Sequence, residues 1–295
     1  MKAAVKKYGI GIPVIALIIL LAVRPERYSE SVLYGFKLFV ASVMPSLFPF
    51  LFFSKLLTSL GISDDLSAVI GKPLKRLYRV PPTAAYILVI SMLSGYPIAA
   101  KLVSESLKCG RITDGEAKRI LAFSMTSGPL FILGTVATNF FQDKTLGFIV
   151  LGAHYLSSFI NGLLYSKGHE PVSCVKNVPQ TEGGGLSDAV YNTLGSVMLV
   201  GSLIAVFSML VDVLTDIGFF YGLAKAVEMC GGNFAVAEAF FTGLVEMTRG
   251  CLMLSKLGSS RATVALVAAM ISMGGASVTI QAMTFLGGTK ISAGY

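Results

Sequence analysis

The chain has 295 residues, 54% of them hydrophobic and only 14% charged, with a mean hydropathy of +0.74. Soluble domains carry about 25% charged residues, so this composition excludes a soluble globular protein and describes an all-α polytopic membrane protein whose apolar blocks are long enough to span a bilayer. The 24 basic against 16 acidic residues give a net charge of +8; the excess clusters beside apolar blocks, as in the positive-inside pattern, and does not point to a nucleic-acid partner.

Lys2, Lys6 and Lys7 precede an uncharged block, Tyr8 to Val23. No A-x-A-like cleavage site follows, and the polar stretch Arg24 to Glu30 runs into another apolar block, so Tyr8 to Val23 reads as a first spanning helix with its N-terminus inside, not as a signal peptide. Leu38 to Ser54 lies between Lys37 and Lys55, which can snorkel to opposite interfaces. Pro45 and Pro49 remove helix hydrogen bonds within it and predict a bend. Ile62 to Pro82 carries Lys72, Lys75, Arg76 and Arg79 among apolar residues, the pattern of a helix lying in the cytoplasmic interface.

Thr83 to Leu107 is interrupted at Ser94-Gly95-Tyr96-Pro97 and flanked on both sides by cationic loops. Its first arm rises only about 16 Å at 1.5 Å per residue, roughly half the ~30 Å hydrocarbon thickness. A re-entrant hairpin entering from the cytoplasmic side is expected. Ile120 to Gln142 then crosses outward with an interruption at Thr126-Ser127-Gly128-Pro129, and Thr145 to Tyr165 returns.

After a polar linker, Ser166 to Gly185, the order repeats. Ala189 to Val211 is an uncharged span. Ala235 to Ser260 is broken around Glu246-Met247-Thr248-Arg249-Gly250, and Ala262 to Thr289 at Met273-Gly274-Gly275-Ala276. The chain thus divides into an N-terminal helix with a short loop (residues 1–30), a first repeat (31–165), the linker (166–185) and a second repeat (186–295). Counting spans, the second hairpin enters from the outer face. This is an inverted-topology repeat, the plan of many secondary transporters, whose sites form where discontinuous helices meet. The second repeat stops at Tyr295 without a counterpart of Thr145 to Tyr165, so a terminal helix is either missing or absent from a shortened member.

Backbone groups freed at helix breaks must be satisfied by protein, water or substrate, and half-helix N-termini favour anions. The candidate substrate-binding residues are therefore Ser94, Gly95, Tyr96, Lys101, Ser124, Thr126, Ser127, Gly128, Glu246, Thr248, Arg249, Ser272, Gly274, Gly275 and Gln281, with Ser277 and Thr279 as further hydrogen-bonding groups. Glu246 and Arg249 share a helical face at three-residue spacing; either Arg249 clamps a substrate carboxylate that Glu246 orients, or the two form a structural ion pair. Lys101 either supplies a second cation or snorkels to the interface. His154 and Asn161 share a face of an uncharged span, as interhelical hydrogen-bonding groups or as a proton relay. Cys109, Cys174, Cys230 and Cys251 lack C-x-x-C spacing, no metal-ligand cluster or phosphate loop is present, and no catalytic constellation appears. Neither an enzyme, a metal nor a cofactor is expected.

Met44-Pro45-Ser46-Leu47-Phe48-Pro49-Phe50, Ser94-Gly95-Tyr96-Pro97 with Lys101, Ser127 to Gly134, His154-Tyr155-Leu156-Ser157, Gly243 to Thr248 and Gly274-Gly275 occur in this order between Val32 and Gln281. In these motifs the chain resembles the YlbJ-type sporulation integral membrane proteins, which are SpoVV-like and belong to the group with nucleoside-recognition, or Gate, domains. The resemblance implies a multi-pass membrane protein of a spore-forming bacterium, in the mother-cell-derived outer forespore membrane. It further implies transport of a small organic anion, dipicolinic acid. A nucleoside carrier and a non-transporting sporulation scaffold are the alternatives. The partners implied are the bilayer, an anionic small molecule and, left open, a second copy of the chain.

Overall fold

The computed structural model describes residues 2–166 and 186–291. Most of the linker predicted from Ser166 to Gly185, with Cys174, lies outside the described residues. All regular structure among the described residues is helical.

Helix α1, Lys2–Val23, leads directly into α2, Pro25–Leu38, which a proline starts at its first turn. The chain then widens to a π turn at Phe39–Val43, where the Met44 N–H donates to Phe39 O, five residues back, before α3, Met44–Ser59. Pro45 and Pro49 have no N–H to continue the ordinary ladder, and the bend expected here is 56°. Helix α4, Ile62–Tyr78, leaves Lys72, Lys75 and Arg76 exposed while burying Leu74 and Tyr78.

Every predicted interruption is a real break. Helices α5, Thr83–Ser94, and α6, Tyr96–Lys108, pack on one another across Gly95, whose φ of 104° favours glycine. At 12 residues, α5 rises about 18 Å. Helix α7, Asp114–Ser124, opens with a capping box between Thr113 and Glu116. It ends in non-helical backbone over residues 125–128, and after Pro129 a π-helical segment follows, Leu130–Phe141. Helix α8, Lys144–Ser166, and α9, Leu186–Asp216, are single apolar spans. Helix α10, Phe219–Met229, was not foreseen; its apolar content is too short to stand out as a block. Helices α11, Phe234–Val245, and α12, Met247–Lys256, are separated by Glu246 alone, so the second interruption is narrower than the five residues expected. Helices α13, Arg261–Met273, and α14, Gly275–Phe285, meet at Gly274.

Packing between the halves is reciprocal. Helix α6 packs on α14 and α12 on the π segment; α5 and α6 pack on α7, as α11 and α12 do on α13; α3 meets α5, as α9 meets α11. One apolar core, including Phe39, Leu47, Ile87, Ile98 and Phe123, fills the first half and reaches α9. A second, built from Tyr96, Ile132 and Val150 with Met247, Leu254, Met270 and Ile271, lies between the halves. Large apolar side chains stay exposed on the outside, among them Phe148, Ile149, Leu156 and Leu164 of α8 and Met198 of α9. Among the described residues, three helices, Lys144–Ser166, Ala189–Asp216 and Arg261–Phe285, are long and apolar enough to cross a membrane, or up to five if each of two bent helix pairs is one span.

Candidate functional site

The breaks converge. In the first half, a Cβ placed on Gly128 would lie 3.0 Å from Leu93 O and 3.4 Å from Gly95 N, so the two interruptions touch through backbone. In the second, Gly275 has a φ of 69° and its added Cβ would lie 2.8 Å from Gly243 O, at the end of α11. The halves are stitched together by the Tyr96 hydroxyl, which donates to Ile271 O, and by His154 of α8. The Ser127 N–H donates to His154 Nε2 at 2.8 Å, and His154 Nδ1 lies 3.0 Å from Ser272 Oγ.

A cavity of about 60 Å³ occupies this junction, and Ser94, Gly95, Tyr96, Ser127, Gly128, Glu246, Thr248 and Gln281 line it with Phe131, Val200 and Ile204. Eight of the predicted binding residues are thus brought together by three separate interruptions and α14. The Ser94 hydroxyl is buried without a hydrogen-bond partner and lines this space, an unsatisfied group of the kind expected where water or a ligand binds. Gln281 donates to Ser277 Oγ at 3.2 Å. Glu246, 2% exposed, accepts from the N–H groups of Thr248 and Arg249 at 3.3 and 2.8 Å and so caps α12.

Other candidates face elsewhere. Arg249 forms no ion pair with Glu246. Its guanidinium donates to Asp212 Oδ1 at 2.8 Å and to Ser208 O at 3.0 Å on α9, and lies 5.5 Å from the centre of the Tyr34 ring. The carboxylate clamp and the Glu246–Arg249 pair are both replaced by an interhelical pair that holds α12 to α9. Lys101 reaches α9 as well, donating to Ser196 Oγ at 2.5 Å and to Asn192 O at 3.4 Å. Lys55, expected to snorkel, pairs with Glu105 at 2.8 Å. Ser124 returns its proton to Ile120 O at 2.7 Å, and Thr279 to Gly275 O at 2.9 Å, within their own helices. Thr126 is buried with its hydroxyl unpaired, outside the residues lining the cavity. Gly274 forms the hinge of the fourth break, and Ser272 faces a different space.

That second space, about 430 Å³, lies between α7, α8, α13 and α14, and its walls include Lys118, His154, Ser157, Asn161, Ser272 and Thr279. The polar face of α8 lines it and also satisfies the carbonyls left open where α7 ends. Ser158 donates to Phe123 O and Asn161 to Ala122 O, both at 2.8 Å. His154 and Asn161 are therefore interhelical hydrogen-bonding groups. Sequence reasoning missed Asp212. The sequence showed a carboxylate at the end of an apolar run, but nothing in it named Arg249 as the partner. No group of His, Cys, Asp and Glu able to hold a metal occurs among the described residues.

The N-terminal ends of α6, the π segment and α12 and the C-terminal ends of α5 and α11 meet there, so their terminal partial charges, roughly half an elementary charge each and opposite in sign, largely offset one another at the junction. No cationic side chain lines the cavity.

No family model matches the chain, and no solved structure does. Among curated proteins, the chain is similar to the sporulation integral membrane protein YlbJ of Bacillus subtilis (strain 168). The two are 28% identical over 295 aligned positions that cover 90% of this chain and 72% of that protein. Its apolar helical fold and a likeness spread over 90% of its length make the chain an integral membrane protein similar to the sporulation protein YlbJ.

Proposed function

We propose that the chain is a transporter of a small organic anion, working by alternating access around the junction of its four broken helices. The observation that carries this reading is the convergence of three helix breaks and α14 on one cavity that also holds the unpartnered Ser94 hydroxyl. A scaffold needs no such junction, because a helix break in hydrocarbon is costly unless its freed groups find partners. The reciprocal packing of the halves supports an inverted repeat, in which one half rocks against the other. At about 60 Å³ the junction holds only a few waters, whereas small-molecule pockets span roughly 300–1,000 Å³. The conformation described is therefore closed around its centre, and the 430 Å³ space beside His154 is the vestibule through which cargo arrives.

The resemblance to a sporulation protein favours dipicolinate as the cargo and the outer forespore membrane as the setting. A nucleoside is a second reading, favoured by the hydroxyl and amide groups of Ser94, Thr248 and Gln281 and by the absence of a cationic side chain from the lining. Uptake of labelled dipicolinate and of labelled uridine into vesicles containing the purified chain separates the two. Dipicolinate uptake should exceed uridine uptake, and Gln281→Leu should reduce it at least tenfold at equal insertion. Uridine uptake alone would select the second reading. Flux of neither would leave the scaffold.

A further inference from the structure

His154 occupies a position that a simple packing role does not require. Its ring stands between the two cavities: His154 and Ser272 lie in the wall of the larger, while Ser127, bonded to the other side of the ring, lies in the wall of the smaller. The two bonds of the ring also join interruptions from opposite halves, Ser127 in the break after α7 and Ser272 next to the break after α13. His154 itself is 2% exposed.

The donor at Ser127 is a backbone N–H and has no other role available. Nε2 must therefore accept with its lone pair, which places the single ring proton on Nδ1, directed at Ser272 Oγ. The arrangement is specific to neutral imidazole. A proton added at Nε2 turns the acceptor into a donor and sets N–H against N–H, so the Ser127 bond must break.

We propose that His154 is a proton-binding site that couples protonation to release of the first-half break from the second half. The proton adds to Nε2 as its bond to Ser127 opens. The resulting imidazolium keeps its Nδ1–H bond to Ser272 and turns away from Ser127, freeing Ser127 and Gly128 to separate from α8. Through this site the transport proposed above is driven by a proton gradient. That consequence rests on the transport reading, whereas the proton site rests on the hydrogen-bond geometry.

The titratable groups around the ring are few. Tyr96 of α6 meets it edge-on, with 6.1 Å between ring centres, and Tyr155 of α8 lies at 5.8 Å. Lys118 of α7 shares the larger cavity, and Glu246, the cap of α12, shares the smaller with Ser127. Of the other elements packed on α8, the π segment carries no titratable residue and α13 carries only Arg261, at its far end. Helix α4 brings Tyr78, stacked on Phe123, with exposed Asp65, Lys72, Lys75 and Arg76, and α7 also carries Asp114, Glu116 and Arg119. None of these takes either ring nitrogen from its partner, so the imidazole is the group whose charge change alters the contact.

Hydrogen exchange at the Ser127 amide, read in the purified full chain at about pH 8 and about pH 5, tests the site without reference to any cargo. After correction for intrinsic exchange, protection should fall at least tenfold on acidification. In His154→Gln, whose side-chain oxygen accepts from the same N–H and does not titrate in this range, protection should be independent of pH. Equal protection of the unaltered chain at both pH values, or the same acid-induced loss in His154→Gln, would overturn the proposal. Should that variant fail to fold, Ser272→Ala keeps both the ring and the Ser127 bond, and it must retain the acid-induced loss. In vesicles, where dipicolinate counterflow by the unaltered chain reports transport itself, His154→Gln should lose at least tenfold of the accumulation that an imposed pH gradient drives. Gradient-driven accumulation equal to that of the unaltered chain would refute the coupling, whereas absence of counterflow from the unaltered chain would refute the transport reading and leave the exchange result to judge the proton site.

Discussion

Arg249 shows how a single charge is placed in a helical membrane protein. An arginine in an apolar surround is expensive unless paired, and this one finds Asp212 with both side chains about four-fifths buried. Loss of one partner from such a pair leaves the other uncompensated, so Asp212→Ala should lower stability by about 2–3 kcal/mol, somewhat less than a fully buried pair would lose. Asp212→Leu combined with Arg249→Met should recover most of that loss. Denaturant unfolding in detergent of the single and double variants measures both, and a neutral Asp212→Ala would mean that the pair does not anchor α12 to α9. This also alters how loss of transport in Arg249→Ala would be read: the arginine acts on the junction through helix position and does not line it. Its three-residue spacing from Glu246 was legible in the sequence, whereas its true partner, 37 residues away, was not. Glu246 was legible as a residue at a break, and its role as a cap became clear only from the two N–H groups it accepts.

At the scale of elements, the interruptions decide where helices end, and backbone approach decides how they meet. Small residues allow helices in a membrane to come close, and Gly275 combines such an approach with a left-handed backbone. Gly275→Ala adds a Cβ 2.8 Å from Gly243 O and incurs the left-handed penalty of about 1–2 kcal/mol. A total loss of roughly 2–4 kcal/mol is expected once the overpacking is included. Gly152→Ala on α8 is the matched control, since nothing lies within 4 Å of the added atom; it should be neutral or slightly stabilising. Thermal unfolding of the two variants side by side tests this, and equal stability would show that α14 does not depend on its approach to α11. Most elements were readable from apolar block lengths and from Gly-Pro punctuation. Helix α10 was not, because its 11 residues fall below the length at which an apolar run identifies itself. The π register of Leu130–Phe141 was also hidden, since it depends on how the chain leaves Pro129 and packs on α8 and α12.

For the whole molecule, the basic clusters predict orientation, and two exposed cysteines can report it. Cys109 follows α6 and Cys230 follows α10, both accessible, while Cys251 is buried. In single-cysteine variants of intact cells, a membrane-impermeant thiol reagent should label Cys230 directly and Cys109 only after permeabilisation. Labelling of both from one side would rule out the opposed orientation of the two hairpins on which alternating access depends.

Composition alone determined the solvent of this protein, because so few charges cannot surround a core with water-compatible surface. Local sequence likewise determined the number and position of the breaks: glycine and proline change backbone conformation and hydrogen bonding wherever they stand, independent of the partner helices. The tertiary structure decided which of the predicted residues meet. Ser94, Ser127, Glu246 and Gln281 come to one cavity, whereas Lys101 and Arg249 turn to α9, since a long cationic side chain follows the nearest acceptor across helices and not its neighbours in sequence. It likewise made His154 the link between the halves, because the two groups that bind its ring are 27 and 118 residues away and converge only after both broken spans have packed on α8.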